Sequence, residues 1–87
     1  MFYMYILRNA QNRLYIGQTN NLKRRMQDHA GTLGAKFVKD YGEFTLVYFE
    51  EYPTRELALQ RERQLKRWSR AKKEALIAGQ LELLKRL

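Results

Sequence analysis

Leu14-Tyr15-Ile16-Gly17-Gln18-Thr19-Asn20-Asn21-Leu22-Lys23-Arg24-Arg25-Met26-Gln27-Asp28-His29 changes its hydrophobic period midway. Leu14 to Ile16 is a short apolar, aromatic and β-branched run that reads as strand, whereas Leu22, Met26 and His29 or Ala30 recur at helical spacing. Gly17 lets the backbone leave the sheet, and Thr19, Asn20 and Asn21 are residues that cap a helix by accepting orphan amide hydrogens. Wound at about 100° per residue, the helix places Met26 and Ala30 near Leu22, Arg25 and His29 on the flanks of that side, and Lys23 and Arg24 away from it. Arg25 is therefore expected to be half-buried, where a planar guanidinium needs either a carboxylate or a phosphate. Lys23 and Arg24 read as a solvated basic face. A lone histidine is more often packed or exposed than catalytic; its one-turn spacing from Arg25 is what makes His29 a candidate.

Eighty-seven residues form one domain with room for a single sheet and a few helices. Seventeen Lys and Arg against nine Asp and Glu leave a net charge of +8 on a chain that is 45% hydrophobic, so a folded and strongly basic protein is expected. Such a surface seeks polyanions, nucleic acid first, with an anionic membrane surface or a ribosomal neighbour as blander partners. The absence of cysteine excludes a disulfide framework, a thiolate zinc site and a cysteine nucleophile, and suits a reducing cytoplasm. The apolar run Phe2 to Leu7 is too short to span a membrane and has no basic segment before it, so a soluble cytoplasmic chain is expected. No internal repeat or low-complexity linker appears.

Phe2 to Leu7 is apolar at every position, which predicts a central strand covered on both faces. A short loop through Asn9 to Asn12 would return Arg13 to Gln18 antiparallel to it. With Leu7 opposite Arg13, Tyr5 would stand directly across from Tyr15; a slip in register would separate them. Tyrosine in a strand usually packs, but two phenols near Arg25 and a metal-bound water can be shifted toward phenolate and act as a base. Gly31, Gly34 and Gly42 punctuate a stretch with room for a short helix over Ala35 to Tyr41, in which Lys36 and Lys39 are candidate phosphate contacts. Phe44 to Tyr52 is the third strand, Thr45, Val47 and Phe49 alternating with Leu46 and Tyr48.

Pro53 stops that strand and Thr54 caps a helix running to about Trp68, with Glu56 in its first turn. Leu57, Ala58, Leu65 and Trp68 form its apolar side, and Glu62 stands at the margin. Among Arg61, Arg63, Lys66 and Arg67, Glu62 reads either as an intrahelical ion-pair partner or as a ligand for a hard divalent cation. Trp68 reads as core before it reads as a base-stacking platform. Ser69 caps a second helix over Arg70 to Ile77 with Lys72 and Lys73 on its basic face, and Gly79 breaks it. Leu81, Leu83, Leu84 and Leu87 can fold back, pair with a second copy or fray.

Tyr3-Met4-Tyr5, Tyr15-Ile16-Gly17, Leu22 with Arg25 and His29 in the pattern Leu-x-x-Arg-x-x-x-His, and Glu62 ahead of Leu65-Lys66 together resemble the GIY-YIG nuclease superfamily, in its small stand-alone single-domain form. The resemblance runs over roughly residues 2–77, so the chain divides into a catalytic domain at 1–78 and a Leu-rich tail at 79–87. It implies an α+β fold, a three-stranded antiparallel sheet flanked by helices, and phosphodiester hydrolysis assisted by one divalent ion, Mg²⁺ or Mn²⁺. By the same resemblance Tyr5 or Tyr15 would be the base or hold the attacking water, Arg25 would stabilise the phosphoryl charge, His29 would assist proton transfer and Glu62 would bind the metal. Two departures stand out. Tyr3 and Met4 replace the first Gly and Ile of the motif, and no Asn occurs after Asn21, where many members place one downstream of the Glu; Ser69, Lys72 or Lys73 occupy that region.

The function implied is that of a metal-dependent endonuclease acting on DNA with little sequence preference, directed by branched, flapped or single-stranded structure and suited to repair, or dependent on a protein partner for specificity. Arg61, Lys66, Lys72 and Lys73 join Lys36 and Lys39 as candidate backbone contacts. The alternative is a nucleic-acid-binding module that keeps the fold with little activity. An RNA- or ribosome-associated protein shares the charge but gives no reason for Glu62 and the two tyrosines together.

Overall fold

The computed structural model describes residues 1–30 and 44–87, the side chains of residues 27–30 excepted. The short helix expected over Ala35 to Tyr41, together with Lys36 and Lys39, lies outside the described residues. The all-apolar run becomes strand β1 (Phe2–Asn9), flanked by β2 (Leu14–Thr19) and β3 (Phe44–Tyr52) in an antiparallel sheet of order β2-β1-β3. Helix α1 (Leu22–Ala30) follows β2, while α2 (Arg55–Lys66), α3 (Arg70–Ile77) and α4 (Leu81–Arg86) follow β3. β1 is central because it alone is covered on both faces: Met4, Tyr5, Ile6 and Leu7 are all buried.

The β1–β2 hairpin closes on Asn9, whose N–H donates to the Arg13 carbonyl and whose Oδ1 accepts from the Arg13 N–H, at 3.0 and 2.8 Å. Asn12 takes the left-handed conformation at φ 66°, which an Asn tolerates better than most residues, and donates back to the Asn9 carbonyl. This loop sets Leu7 opposite Tyr15 and Tyr5 opposite Gly17, two residues away from the register expected. A slip of two preserves the faces. On the other side, Ile6 pairs with Tyr48 and Leu7 with Leu46, so β3 carries a bulge at Val47. Strict alternation therefore fails there, and Val47 and Tyr48 both pack against the same core.

That core joins Met4 and Ile6 to Leu65 of α2 and Leu76 of α3, with Ile16, Trp68, Ile77 and Leu84 around it. Tyr3, Tyr5 and Leu7 project from the opposite face, where Leu22 and Met26 of α1 line an open groove with Tyr3, Leu46 and Phe49. Helices α1 and α2 thus lie on opposite faces of the sheet. Thr54 caps α2 as expected, its hydroxyl accepting from the Leu57 N–H. The buried stripe of α2 is Ala58 and Leu65, whereas Leu57 is 41% exposed, because it lies roughly 100° around the helix from Ala58. Trp68 falls beyond the helix end. Ser69 caps α3, and Gly79 closes it at φ 71°: the Gly79 and Gln80 amides donate to Leu76 and Ala75. The tail folds back as α4 through Leu84, leaving Leu81, Leu83 and Leu87 exposed.

Candidate active site

Tyr5 and Tyr15 share one face of the sheet but are diagonal neighbours rather than a facing pair, at roughly 7–8 Å by strand geometry. What lies opposite Tyr5 is Gly17. A Cβ on Gly17 would stand 2.6 Å from the Tyr5 Oη and 2.7 Å from its Cζ, so the phenol rests on bare backbone. Gly17 stays inside β2, and the absence of its side chain serves this close approach rather than an exit from the sheet. Tyr15 is half-buried and meets Phe44 edge-on, with centroids 4.9 Å apart.

The Tyr5 phenol reaches over the edge strand β2, and α2 lies across β1 and β2 from the other face. At this open edge two charges from opposite layers act on one hydroxyl. Burial raises the Tyr5 pKa above 10.0, the Arg25 guanidinium lowers it and the Glu62 carboxylate raises it. Burial is the largest of the three, so on balance the Tyr5 hydroxyl is held neutral near pH 7.

Asn21 opens α1, its Oδ1 accepting from the Arg24 N–H at 3.0 Å and its own N–H donating to the Thr19 hydroxyl. The helix rests on Leu22 and Met26, which are half-buried, while Lys23, Arg24 and Arg25 are exposed. The expectation of a half-buried Arg25 fails because so narrow a ridge leaves the flank in water. Arg25 instead lines a polar depression of about 260 Å³ with Thr19, Asn20, Asn21 and Arg24. His29 occupies the helical position one turn later; its side chain lies outside the described residues.

Glu62 stands about 40° from Ala58 on α2, against about 60° the other way for Arg61, so the two neighbours straddle the buried stripe. The Glu62 side chain is 16% exposed, and the Lys66 Nζ lies 3.8 Å from its Oε1. Glu62 thus pairs loosely with a solvated lysine, as the ion-pair reading has it, and it also acts on Tyr5. Among the described residues no three His, Cys, Asp or Glu side chains cluster. A hard cation that keeps most of its water and takes one carboxylate plus substrate oxygens fits this donor set. Next to Gly17, the Gln18 Oε1 is buried without a hydrogen-bond donor, an oxygen of the kind such a cation or its water shell satisfies.

Arg61 is not a free cation. Its Nε and Nη2 grip Glu50 at 2.9 and 3.2 Å, and its guanidinium carbon lies 5.1 Å from the Trp68 ring centroid. Glu50 also accepts from the hydroxyls of Tyr48 and Tyr52. Burial alone would raise the Glu50 pKa, but the bonds from Arg61, Tyr48 and Tyr52 hold it below 4.5. This clamp escaped the sequence reading, although an acid between two tyrosines at i−2 and i+2 of one strand is a visible signal. Lys72 also stacks on Trp68, with Nζ 4.6 Å from the centroid, and Lys73 is half-buried. The Ser69 hydroxyl accepts from the Lys72 N–H as the α3 cap.

The GIY-YIG catalytic domain profile matches residues 1–75. A UPF0213 protein of Natronomonas pharaonis is 40% identical, the alignment covering 90% of this chain and 92% of that protein. The UPF0213 protein YhbQ of Escherichia coli is 39% identical over 99% of this chain and 89% of its own length. The solution NMR structure of a UPF0213 protein from Bacillus halodurans superposes with a TM-score of 0.58 at 38% identity, covering 90% of this chain and 84% of that one. With Tyr5 seated on Gly17 and with Arg25 and Glu62 acting on its hydroxyl, the chain belongs to the GIY-YIG family of nuclease-type catalytic domains, and its relatives are small single-domain UPF0213 proteins.

Proposed function

We propose that this protein is a divalent-metal-dependent endonuclease that hydrolyses DNA phosphodiester bonds with little sequence preference, in a cytoplasmic role such as repair of branched or flapped DNA. The observation that carries the reading is a single buried hydroxyl, that of Tyr5, under the fields of one cation and one carboxylate delivered from opposite faces of the sheet. Such a meeting is costly to arrange for stability alone, and opposed charges around a titratable hydroxyl mark sites of proton transfer.

In this reading Glu62 holds Mg²⁺ or Mn²⁺, which supplies Lewis-acid polarisation of the phosphoryl oxygen. Arg25, exposed in the first half of α1, clamps the same group bidentately and stabilises the charge that grows there. Tyr5, a neutral phenol, orients the attacking water through its hydroxyl, and His29 assists the departure of the water's proton. Tyr15 and His29 complete the constellation as orienting and proton-transferring groups, and Lys66, Lys72 and Lys73 contribute backbone contacts, with Lys36 and Lys39 proposed on the same chemistry.

The test is cleavage of supercoiled plasmid and of branched and flapped duplexes by wild type, Glu62→Ala and Arg25→Ala, with Mg²⁺ or Mn²⁺ and with chelator. Metal-dependent cleavage lost in both variants, with DNA binding retained, is the expected result. Equal traces of cleavage in all three proteins would replace the nuclease with the binding module of the same fold.

A further inference from the structure

The face of α2 turned away from the sheet carries Gln60, Arg63 and Gln64, at i, i+3 and i+4, and Arg67, the C-cap, continues the line at i+7. With the edge of Trp68 they line one shallow depression of about 390 Å³. By helical winding, Arg63 and Arg67 stand roughly 140° and 180° from the buried Ala58, well clear of Glu62. Two guanidinium groups one turn apart repel each other, and a helix gains nothing intrinsically from placing them so. The carboxylates nearby do not relieve that repulsion. Glu50 is bound by Arg61, Glu74 by Arg8 and Arg70, and Glu62 sits beside Lys66. Only Glu56 approaches Arg63, at 3.9 Å with both side chains more than half exposed, and Arg67 has no ion pair among the described residues. Lys72, stacked on Trp68, adds one further positive charge at the margin.

We propose that this outer face of α2 is an exosite for the DNA backbone, engaging phosphates away from the scissile bond. The inference deepens the nuclease reading and rests on it for the identity of the polyanion. The geometry favours a chain of phosphates over a single free one. The depression is shallow, and Arg63 and Arg67 are set about 6 Å apart in backbone rise, one turn of a line rather than one pocket. The amide donors of Gln60 and Gln64 point to the same role, since phosphate and sugar contacts position a strand without reading its sequence.

The experiment is fluorescence anisotropy of a labelled duplex in chelator, so that no cleavage occurs, with wild type, Arg63→Gln/Arg67→Gln and Gln60→Glu, each checked for an unchanged melting temperature. The double variant is expected to bind roughly tenfold more weakly at low salt. Its log–log salt slope should fall by about 2, one for each phosphate no longer neutralised. Gln60→Glu, which removes no cation, should weaken binding in the same direction. In cleavage assays with metal, the double variant should raise KM and leave kcat unchanged. Affinity and slope equal to wild type in both variants would overturn the exosite and make this a solvated face. Weaker binding in both variants beside a wild type that cuts nothing would keep the exosite and remove the nuclease.

Discussion

The contact between Tyr5 and Gly17 is the tightest dependence of the site on a single position. Gly17→Ala places a methyl group within 2.7 Å of both Oη and Cζ of Tyr5, and the ring rather than a flexible tip must move. The expected cost is roughly 1–3 kcal/mol in a urea titration, together with loss of cleavage, because the phenol leaves the field of Arg25 and Glu62. Tyr5→Phe separates the two effects: it keeps the ring and should lose cleavage with about 1 kcal/mol or less of stability. Unchanged cleavage in Tyr5→Phe would transfer the role to Tyr15. At this scale the sequence was weak on geometry. Winding singled out Arg25 from its basic neighbours without reference to structure, yet placed it half-buried, because periodicity gives direction and not depth. The facing of Tyr5 with Tyr15 failed for a local reason, the Asn9 side chain and the left-handed Asn12 that close the hairpin on Arg13.

Helix α2 delivers Glu62, and what sets its roll on the sheet is the clamp one residue earlier. Ala58 is a small contact, and Leu65 a single knob; neither prevents rotation about the helix axis. The two-pronged grip of Arg61 on Glu50 does, since both side chains are about four-fifths buried and Glu50 is held from three sides. Arg61→Met should therefore cost roughly 2 kcal/mol by leaving a largely buried carboxylate short of its partner. It should also lower kcat more than KM, as Glu62 swings away from Tyr5. Arg61→Lys should recover part of the stability, and less of the rate, because a single ammonium does not reproduce a planar fork. A rate loss that merely follows stability across both variants would reduce the clamp to a structural pair. The strands, caps and helix limits were legible here from hydrophobic period, Thr54, Ser69 and Gly79. The bulge at Val47 was not, since one extra residue in a strand leaves no compositional trace.

Across the whole molecule, carboxylates and phenols bound into networks set the pH range of stability. Glu74, bonded first by Arg8 and also by Arg70, is held down to about 2, and Glu50 also lies below its ordinary 4.5. A carboxylate with a depressed folded pKa contributes stability that is complete above its ordinary value and is lost as pH falls through the folded one. The acid limb should therefore run from about 4.5 down to about 2. Tyr52 is raised to about 12 by burial and its bond to Glu50, and Tyr5 and Tyr48 are raised in the same direction. Phenols with raised folded pKa values contribute stability that is complete below 10.0 and lost as pH rises toward 12. Urea midpoints should then be level between about pH 5 and 10 and fall on both sides. Acid also adds to a charge already at +8, so general repulsion could produce the lower limb by itself. Glu74→Gln distinguishes the causes. It removes the titrating group while leaving the other carboxylates, so a flatter acid limb identifies the Arg8–Glu74–Arg70 clasp between hairpin and α3, and an unchanged slope assigns the limb to repulsion.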